Sequence, residues 1–482
     1  KEALTFFGDQ EIAESSKGAF DKGKRLAQLV GAKRALLILD GVEPLQYPPM
    51  PPMDGKLKDD GLAALLKGLA ASSQGLCLVT TRYSIPDLKA YRQGNAPEIQ
   101  LKRLSKEAGV ALLKSLDING TQIEFETLVE DVRGHALTLN LLGSYLRDAH
   151  AGDIRKRDLV KLEEADAEEQ GGHAFRVMDA YVRWFEDDRG NAEENKRAQR
   201  SLAVLRLMGL FDRPASADCF AALLKAPPIK NLTELLVEKN EVKRNLALTR
   251  LENAKLLTVN RHASGALISL DAHPLLREYF AKQLREQQPG SWREAHRRLY
   301  KHLYATAKEG EQPTLEKLQP LYQAVAHGCL AGMQQEVCEK VYRDRIQRGK
   351  EAYSMYKLGA FGSGLGAVAC FFETPWSRVL PALMQDTEAW LLHEAAFHLR
   401  ALGRLTEAVN PLRAGLEMYV KQKILTGVIT CAINLSELEQ TLGRLDDSVR
   451  DAVLSENYAD KSGDALMKNA TKTLHADALL QI

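Results

Sequence analysis

Two apolar runs in this chain stop on side chains that can do chemistry. In "KRALLILDGVEPLQ" the run Ala35 to Leu39 ends at Asp40, with Glu43 shortly after it. In "GLCLVTTR" the run Leu76 to Val79 is followed by Thr80, Thr81 and Arg82. Short, unbroken apolar runs of this kind predict parallel strands buried on both faces. Ligands of open α/β sheets gather at the carboxyl ends of the strands, so two strands of one polarity place Asp40 and Arg82 on one functional edge. A carboxylate there suits Mg²⁺ held through water, and a guanidinium suits the terminal phosphate of a nucleotide. Asp40 followed by Gly41 would, taken alone, equally start a turn.

Three other stretches have chemical residue types without the matching context. "GAFDKGKR" spaces Gly18 from Gly23-Lys24 like a phosphate-cradling loop, but that loop follows a strand and carries Ser or Thr after the Lys. Here Arg25 stands at that place and the upstream residues are polar, so the stretch reads as a basic amphipathic helix with Phe20, Leu26, Leu29 and Val30 on one side. "HEAAFH" sets His393 and His398 five residues apart, about 500° around a helix, so they face different ways and do not form a zinc pair. "HGC" at 327–329, with Cys338 further on, lacks a paired ligand set. The six cysteines are scattered, with no CxxC, which suits a reducing compartment, and we expect a cytoplasmic protein.

The elements that must position Asp40 and Arg82 can be followed along the chain. A Pro-rich loop (Tyr47 to Gly55) and an apolar helix, "GLAALLKGLAAS", separate the two strands. Leu101, Leu104, Ala108, Ala111 and Leu112 recur at helical spacing, with Ser105 near the start; with a helix in Gly134 to Asp148 they predict a small helical domain. The charged run "LVKLEEADAEEQGGHAF" marks a boundary. Beyond it come two helices across a Pro turn, then helix, strand, "NRHASG", strand and helix, the pattern of a winged helix. Its candidate recognition helix offers only Arg250 and Lys255, so packing is the expected role rather than DNA binding. From about residue 291 the chain reads as helices, and Leu-Gly-Arg-Leu recurs at 402–405 and 442–445. That recurrence predicts TPR-like helix pairs stacked into a solenoid, with "YKLGAFGSGLGAVACFF" (356–372) as a degenerate earlier copy.

Length and composition bound the rest. The 482 residues suggest roughly three or four domains. Lys and Arg number 65 against 64 Asp and Glu, a net charge of +1 that leaves no electrostatic footprint for nucleic acid or an anionic membrane. No apolar run is long enough to span a bilayer.

Four segments in this order resemble the STAND-class signalling ATPases, the NB-ARC and NACHT group. "LLILDGVEPLQ" resembles their Walker B strand, "CLVTTR" their sensor-1 strand, "GHALTLNLLGSYLRD" their GLPLA segment and "LDAHPLLREYF" their MHD segment. The resemblance implies ATP/ADP and Mg²⁺ as cofactors, with Asp40 on the metal. It implies Glu43 as a second acid near the attacking water, Thr81 and Arg82 at the γ-phosphate, Ala136 near adenine, and His273 on the β-phosphate of ADP. The chain departs from the family at Gly41, where a second acid is usual, and at Ala136, where Pro is usual. No Walker A precedes Asp40, and since the first residue is Lys we expect that loop upstream of the given sequence.

The fold class expected is an α/β parallel-sheet, P-loop-type fragment followed by mostly α structure: a helical domain, a winged helix and a TPR-like α-solenoid. The expected boundaries are 1–100 for part of a nucleotide-binding domain, 101–165 helical, 166–290 winged helix and 291–482 repeats. The function the resemblance implies is a signal-transduction switch. A protein or peptide trigger on the repeats opens it, ADP gives way to ATP, and a homo-oligomer activates an N-terminal effector; immune or antiviral defence and transcriptional control are outputs of this class. An ATPase activity would belong to the full-length protein. A nucleotide-free helical-repeat scaffold and a winged-helix transcription regulator are the alternatives.

Overall fold

A computed structural model describes residues 2–15, 17–46, 55–81, 83–101, 103–160, 172–187, 190–237 and 241–481. The chain divides into two compact units, Lys1–Lys102 and Arg103–Ile482.

In the first unit α1 (Glu2–Phe6), α2 (Gln10–Glu14) and α3 (Ala19–Gly31) precede β1 (Leu36–Leu39), and α4 (Asp60–Ala71) leads into β2 (Leu76–Val79). The strands pair in parallel, Leu36 opposite Leu76 through Leu39 opposite Val79, so Asp40 and Thr80 leave the sheet side by side. Helices α3 and α4 lie against one another at glycines. A Cβ on Gly23 would sit 2.0 Å from the Gly61 carbonyl oxygen, and one on Gly68 would sit 2.5 Å from the Ala27 Cβ. The "GKR" of the spurious phosphate loop is therefore helix interior, and its glycine is where two backbones meet.

One face of the strand pair packs on these helices. Leu37 and Cys77 join Ala27, Val30, Leu65 and Leu69, while Leu39 and Val79 join Val42, Leu57, Leu66 and Ile85. The other face is open: Leu36, Ile38, Leu76 and Leu78 are 63, 55, 64 and 50 % exposed. The expectation of burial on both faces is corrected here. Among the described residues a single helical layer covers the sheet, so alternate side chains of each strand face outward.

The second unit begins with α5 (Lys106–Ser115), α6 (Gln122–Asp131) and α7 (Ala136–His150), each started by a side-chain cap. Ser105 accepts the Ala108 N–H, as its position before the apolar repeat suggests, and Thr121 with Glu124 forms a capping box. Helices α8 (Gly172–Glu186) and α9 (Ala192–Met208) follow. Then come β3 (Ala215–Ser216), α10 (Ala217–Leu223), α11 (Glu234–Val237), α12 (Glu241–Asn253), β4 (Thr258–Arg261), β5 (Leu267–Asp271) and α13 (Pro274–Gln287). The three strands form an antiparallel sheet in the order β3-β5-β4.

The rest is mostly helical. Helices α14 (Pro289–Thr306), α15 (Leu315–Leu330) and α16 (Gln334–Val337) run into a π-helical stretch, Cys338–Ile346. The short α17 (Tyr353–Tyr356) and α18 (Phe361–Ala369) and the hairpin β6 (Phe372–Thr374) and β7 (Arg378–Val379) follow. Four long helices then make two hairpins, α19 (Gln385–Ala401) with α20 (Leu405–Gln422), and α21 (Leu425–Thr441) with α22 (Leu445–Ser462), before α23 (Ala465–Leu480).

The two Leu-Gly-Arg-Leu turns are structural copies. Gly403 and Gly443 have φ of 72° and 73°, and Arg404 and Arg444 each donate N–H five residues back, to Leu399 and Glu439, at 2.8 Å. Left-handed glycine closing a helix in this way is the usual reason for Gly at that position. The expected earlier copy has a similar glycine, Gly359 with φ of 59°, but between helices of only four and nine residues.

Candidate functional site

In the first unit, the sheet edge at the ends of β1 and β2 brings together the residues picked out by type and spacing. Asp40 is exposed there and accepts a hydrogen bond from the Thr80 hydroxyl. The same Thr80 Oγ1 accepts the Gly41 N–H at 2.8 Å, and the Val42 N–H bonds the Thr80 carbonyl at 3.1 Å. Thr80 thus fixes both the Asp40 carboxylate and the turn that follows it. Gly41 takes φ of 67°, a left-handed conformation that glycine adopts without strain, and Glu43 folds back so that its Oε2 would lie 3.6 Å from a Cβ at Gly41. Two carboxylates therefore flank one turn at the carboxyl end of a parallel strand.

Thr81 faces a different task. Its hydroxyl is bonded to Gln46 Oε1, and it also accepts the Tyr83 N–H at 3.2 Å. Gln46 is buried and its Nε2 donates to the carbonyls of Gly55 at 2.8 Å and Ser84 at 3.1 Å. This clamp ties the loop after β1 to the loop after β2. Gln46 sits beside a Pro-rich loop and nothing local in the sequence marks it, whereas Thr80 is marked by its register opposite Asp40. Arg82 lies outside the described residues.

The other two residues belong to the second unit, where each starts a helix. Ala136 is the exposed first residue of α7, behind the cap His135, whose Nδ1 accepts the Thr138 N–H at 3.2 Å. Gly134 before it, with φ of 65°, lies so close to Leu104 that a Cβ would be 2.4 Å from that carbonyl oxygen. His273 is exposed and caps α13, its Nδ1 accepting the Leu275 N–H at 3.2 Å, while Asp271 pairs with Arg277 one turn into the same helix.

Mg²⁺ with a nucleotide can be tested against this geometry. An exposed carboxylate held by a hydroxyl, with a second carboxylate on the same turn, fits a metal that keeps several of its waters. A phosphate cradle needs backbone N–H groups converging where a strand opens into a helix. Among the described residues no glycine-rich turn of that kind occurs: Gly18 caps α3 with no strand before it. Two carboxylates on one turn are the donors such a metal needs, and among the described residues the cradle is not found.

The second unit also holds a cleft of about 680 Å³ lined by Phe211, Trp292, His296, Tyr322, His327 and Cys370, among others. The two imidazoles share an Nδ1–Nδ1 hydrogen bond of 2.8 Å. Burial lowers the pKa of His296 to about 2 and that of His327 to about 4, so the pair is neutral near pH 7. No helix among the described residues is long and apolar enough to cross a membrane.

No family model matches the chain, and no curated protein matches it. Among solved structures it is similar to a signal transduction ATPase with numerous domains (STAND) protein with a tetratricopeptide repeat sensor from Pyrococcus horikoshii. The identity is 14 %, the TM-score 0.42, and the match covers 99 % of this chain and 71 % of that one. A likeness of this degree assigns neither residues nor activity.

Proposed function

We propose that this chain carries the metal-binding edge, the relay domains and the sensor repeats of a nucleotide-dependent signalling switch of the STAND type. The observation that carries the reading is the Asp40–Thr80 bond at the carboxyl edge of the β1/β2 pair, with Glu43 folded onto the same turn. In this reading Asp40 and Glu43 hold and orient the water shell of Mg²⁺, and the clamp between Thr81 and Gln46 sets the path of the loop that carries Arg82 to the terminal phosphate. Ala136 borders adenine and His273 meets the β-phosphate in the resting, ADP-bound state. The hairpins α19 to α22 take a protein or peptide trigger, and release of ADP leads to ATP binding and a homo-oligomer.

The antiparallel sheet with α10, α12 and α13 supports a winged-helix reading of the middle of the chain. Its use in packing rather than on DNA is supported by Arg250, whose guanidinium lies 4.9 Å from the Trp184 ring and 5.5 Å from that of Phe185. A cation held against aromatic faces is not extended toward a phosphate backbone.

The test is Mg²⁺-dependent binding of ATP and ADP to the full-length protein, with Asp40→Asn beside the parent. Expected is binding that needs Mg²⁺ and weakens at least tenfold for ATP in Asp40→Asn, with folding unchanged because Asn is isosteric and the site is exposed. Absence of nucleotide binding by the parent would favour the helical-repeat scaffold.

A further inference from the structure

We propose that Asp218, Cys219 and His302 form a binding site for a transition-metal ion of the Zn²⁺ type, joining α10 to α14. One carboxylate oxygen, the Cys219 Sγ and one imidazole nitrogen lie within 4.8 Å of one another, contributed by two helices far apart in sequence. His302 Nε2 is 2.9 Å from Asp218 Oδ2, and the Ser216 hydroxyl donates to the other carboxylate oxygen, which orients it. Cys219 is buried, His302 is mostly buried and the Asp218 side chain is largely exposed, so the cluster has an inner wall and an open approach from solvent.

The helices carrying these groups are held in place without a metal. Arg298, one turn before His302 on α14, donates to the carbonyls of Lys225 at 2.6 Å and Pro227 at 2.5 Å, just past the end of α10. The ligands therefore stand on a fixed frame and need only side-chain adjustment. Bonds of about 2.3 Å to sulfur and about 2.0–2.2 Å to nitrogen and oxygen put tetrahedral ligand atoms roughly 3.3–3.6 Å apart. The carboxylate and imidazole are slightly closer than that, and the widest separation in the cluster needs to shrink by about 1 Å.

The donor set selects the ion. Thiolate with imidazole favours Zn²⁺ over Mg²⁺ or Ca²⁺, which prefer all-oxygen shells. Three protein ligands leave one position for water. On binding, the Cys219 thiol gives up its proton to solvent, the thiolate and the carboxylate together balance the ion's two charges, and affinity accordingly falls toward acid pH. All three ligands belong to the second unit, and the test below does not depend on whether nucleotide binds at the Asp40 edge.

Co²⁺ is the probe, titrated into chelator-treated protein under reducing conditions. The expected result is one equivalent bound, with the near-ultraviolet thiolate-to-cobalt band and the intense visible absorption of a tetrahedral site, both bleached by one equivalent of Zn²⁺. The band should vanish in Cys219→Ser, persist in Cys338→Ser, and need at least tenfold more Co²⁺ in His302→Gln and Asp218→Asn. If Cys219→Ser does not fold, His302→Gln decides, since its side chain reaches the outer part of the cluster. A parent protein without the thiolate band, or a band unchanged in His302→Gln, would overturn the proposal and leave His302–Asp218 as a hydrogen-bonded tie between helices.

Discussion

Thr80 donates to Asp40 and accepts from Gly41 at the same time, so one hydroxyl decides both the direction of a carboxylate and the course of a turn. Thr80→Val keeps the shape and removes both bonds. The expected cost is about 1–2 kcal/mol of stability by chemical denaturation, because two modest hydrogen bonds are lost at an exposed edge. Mg²⁺-dependent nucleotide binding should weaken with it, and Thr80→Ser should restore both; an equal loss in Thr80→Ser would show that the methyl group matters and the hydroxyl does not. A second residue-scale case is Glu394. It is buried beside Gln347, whose Nε2 lies 3.4 Å from its Oε2, and 3.8 Å from His398 Nε2, and the charge of Arg343 only partly offsets its burial. Burial raises its pKa to about 7 from 4.5, so the folded chain holds the proton more tightly than the unfolded one. Its contribution to stability is complete below about pH 4.5 and is lost as pH rises through about 7. Glu394→Gln should therefore stabilise the protein at pH 8, by about 1–3 kcal/mol, and leave it nearly unchanged at pH 4. Two neighbouring histidines, the half-buried His393 and the buried His398, act in the opposite direction. His393 and His398 are each lowered to about 4 from 6.5, mainly by burial, so the stability of keeping them neutral is lost as pH falls from about 6.5 through about 4. Melting temperature against pH separates the acid limb from the Glu394 limb, since only the latter should respond to Glu394→Gln.

At the scale of elements, the glycines divide into two kinds that a denaturation series can tell apart. Gly23 lies within α3, where alanine is the better helix former, yet a Cβ there would meet the Gly61 backbone at 2.0 Å. Gly23→Ala should destabilise by about 1–3 kcal/mol through forced separation of α3 and α4. Gly403 has open space around it but a left-handed φ, so Gly403→Ala should cost about 1–2 kcal/mol for the backbone alone, and Gly403→Asn distinctly less. A Gly23→Ala variant as stable as the parent would show that the two helices can move apart freely. This division also marks what could be read along the chain. The LGRL turns, the Ser105 cap and the strand before Asp40 are local signals, set by a few neighbouring residues. The Gly23–Gly61 contact, the Gln46 clamp, the open face of β1 and β2 and the Asp218–Cys219–His302 cluster depend on partners tens of residues away or on which layers cover a sheet. Apolar periodicity in one sequence cannot tell a strand covered on both faces from one covered on one. Likewise, the residue types at Asp40 and Glu43 suggested a metal edge, but the hydroxyl that aims Asp40 emerged only from the register of β1 with β2.

At the scale of the molecule, the two compact units differ in how much core holds them. Buried side chains from Val110 to Ala395 form one contiguous cluster in the second unit, joining the antiparallel sheet to the first repeat helices. Among the described residues the first unit has two small clusters, around Val42 and around Ala27, and leaves four strand side chains half or more exposed. Each such side chain forgoes on the order of 1 kcal/mol that full burial would contribute. The first unit should therefore unfold at lower denaturant than the second, and the residues supply the means to see it. All four tryptophans, Trp184, Trp292, Trp376 and Trp390, lie in the second unit, so their fluorescence reports that unit alone, whereas far-ultraviolet circular dichroism reports both. A deficit of about 4 kcal/mol at a slope of about 1–3 kcal/mol per molar urea lowers the first unit's midpoint by roughly 1–4 M relative to the same sheet covered on both faces. In a urea titration the dichroism should begin to fall before the fluorescence changes, and the early phase should carry the helicity of α1 to α4. Leu36→Thr with Leu78→Thr should shift the first unit's midpoint only slightly, because those side chains are half or more exposed, and should reduce self-association and dye binding by the open sheet face. Coincident transitions by the two probes would instead mean that the units unfold as one cooperative body, and the small clusters of the first would then be drawing their stability from the second.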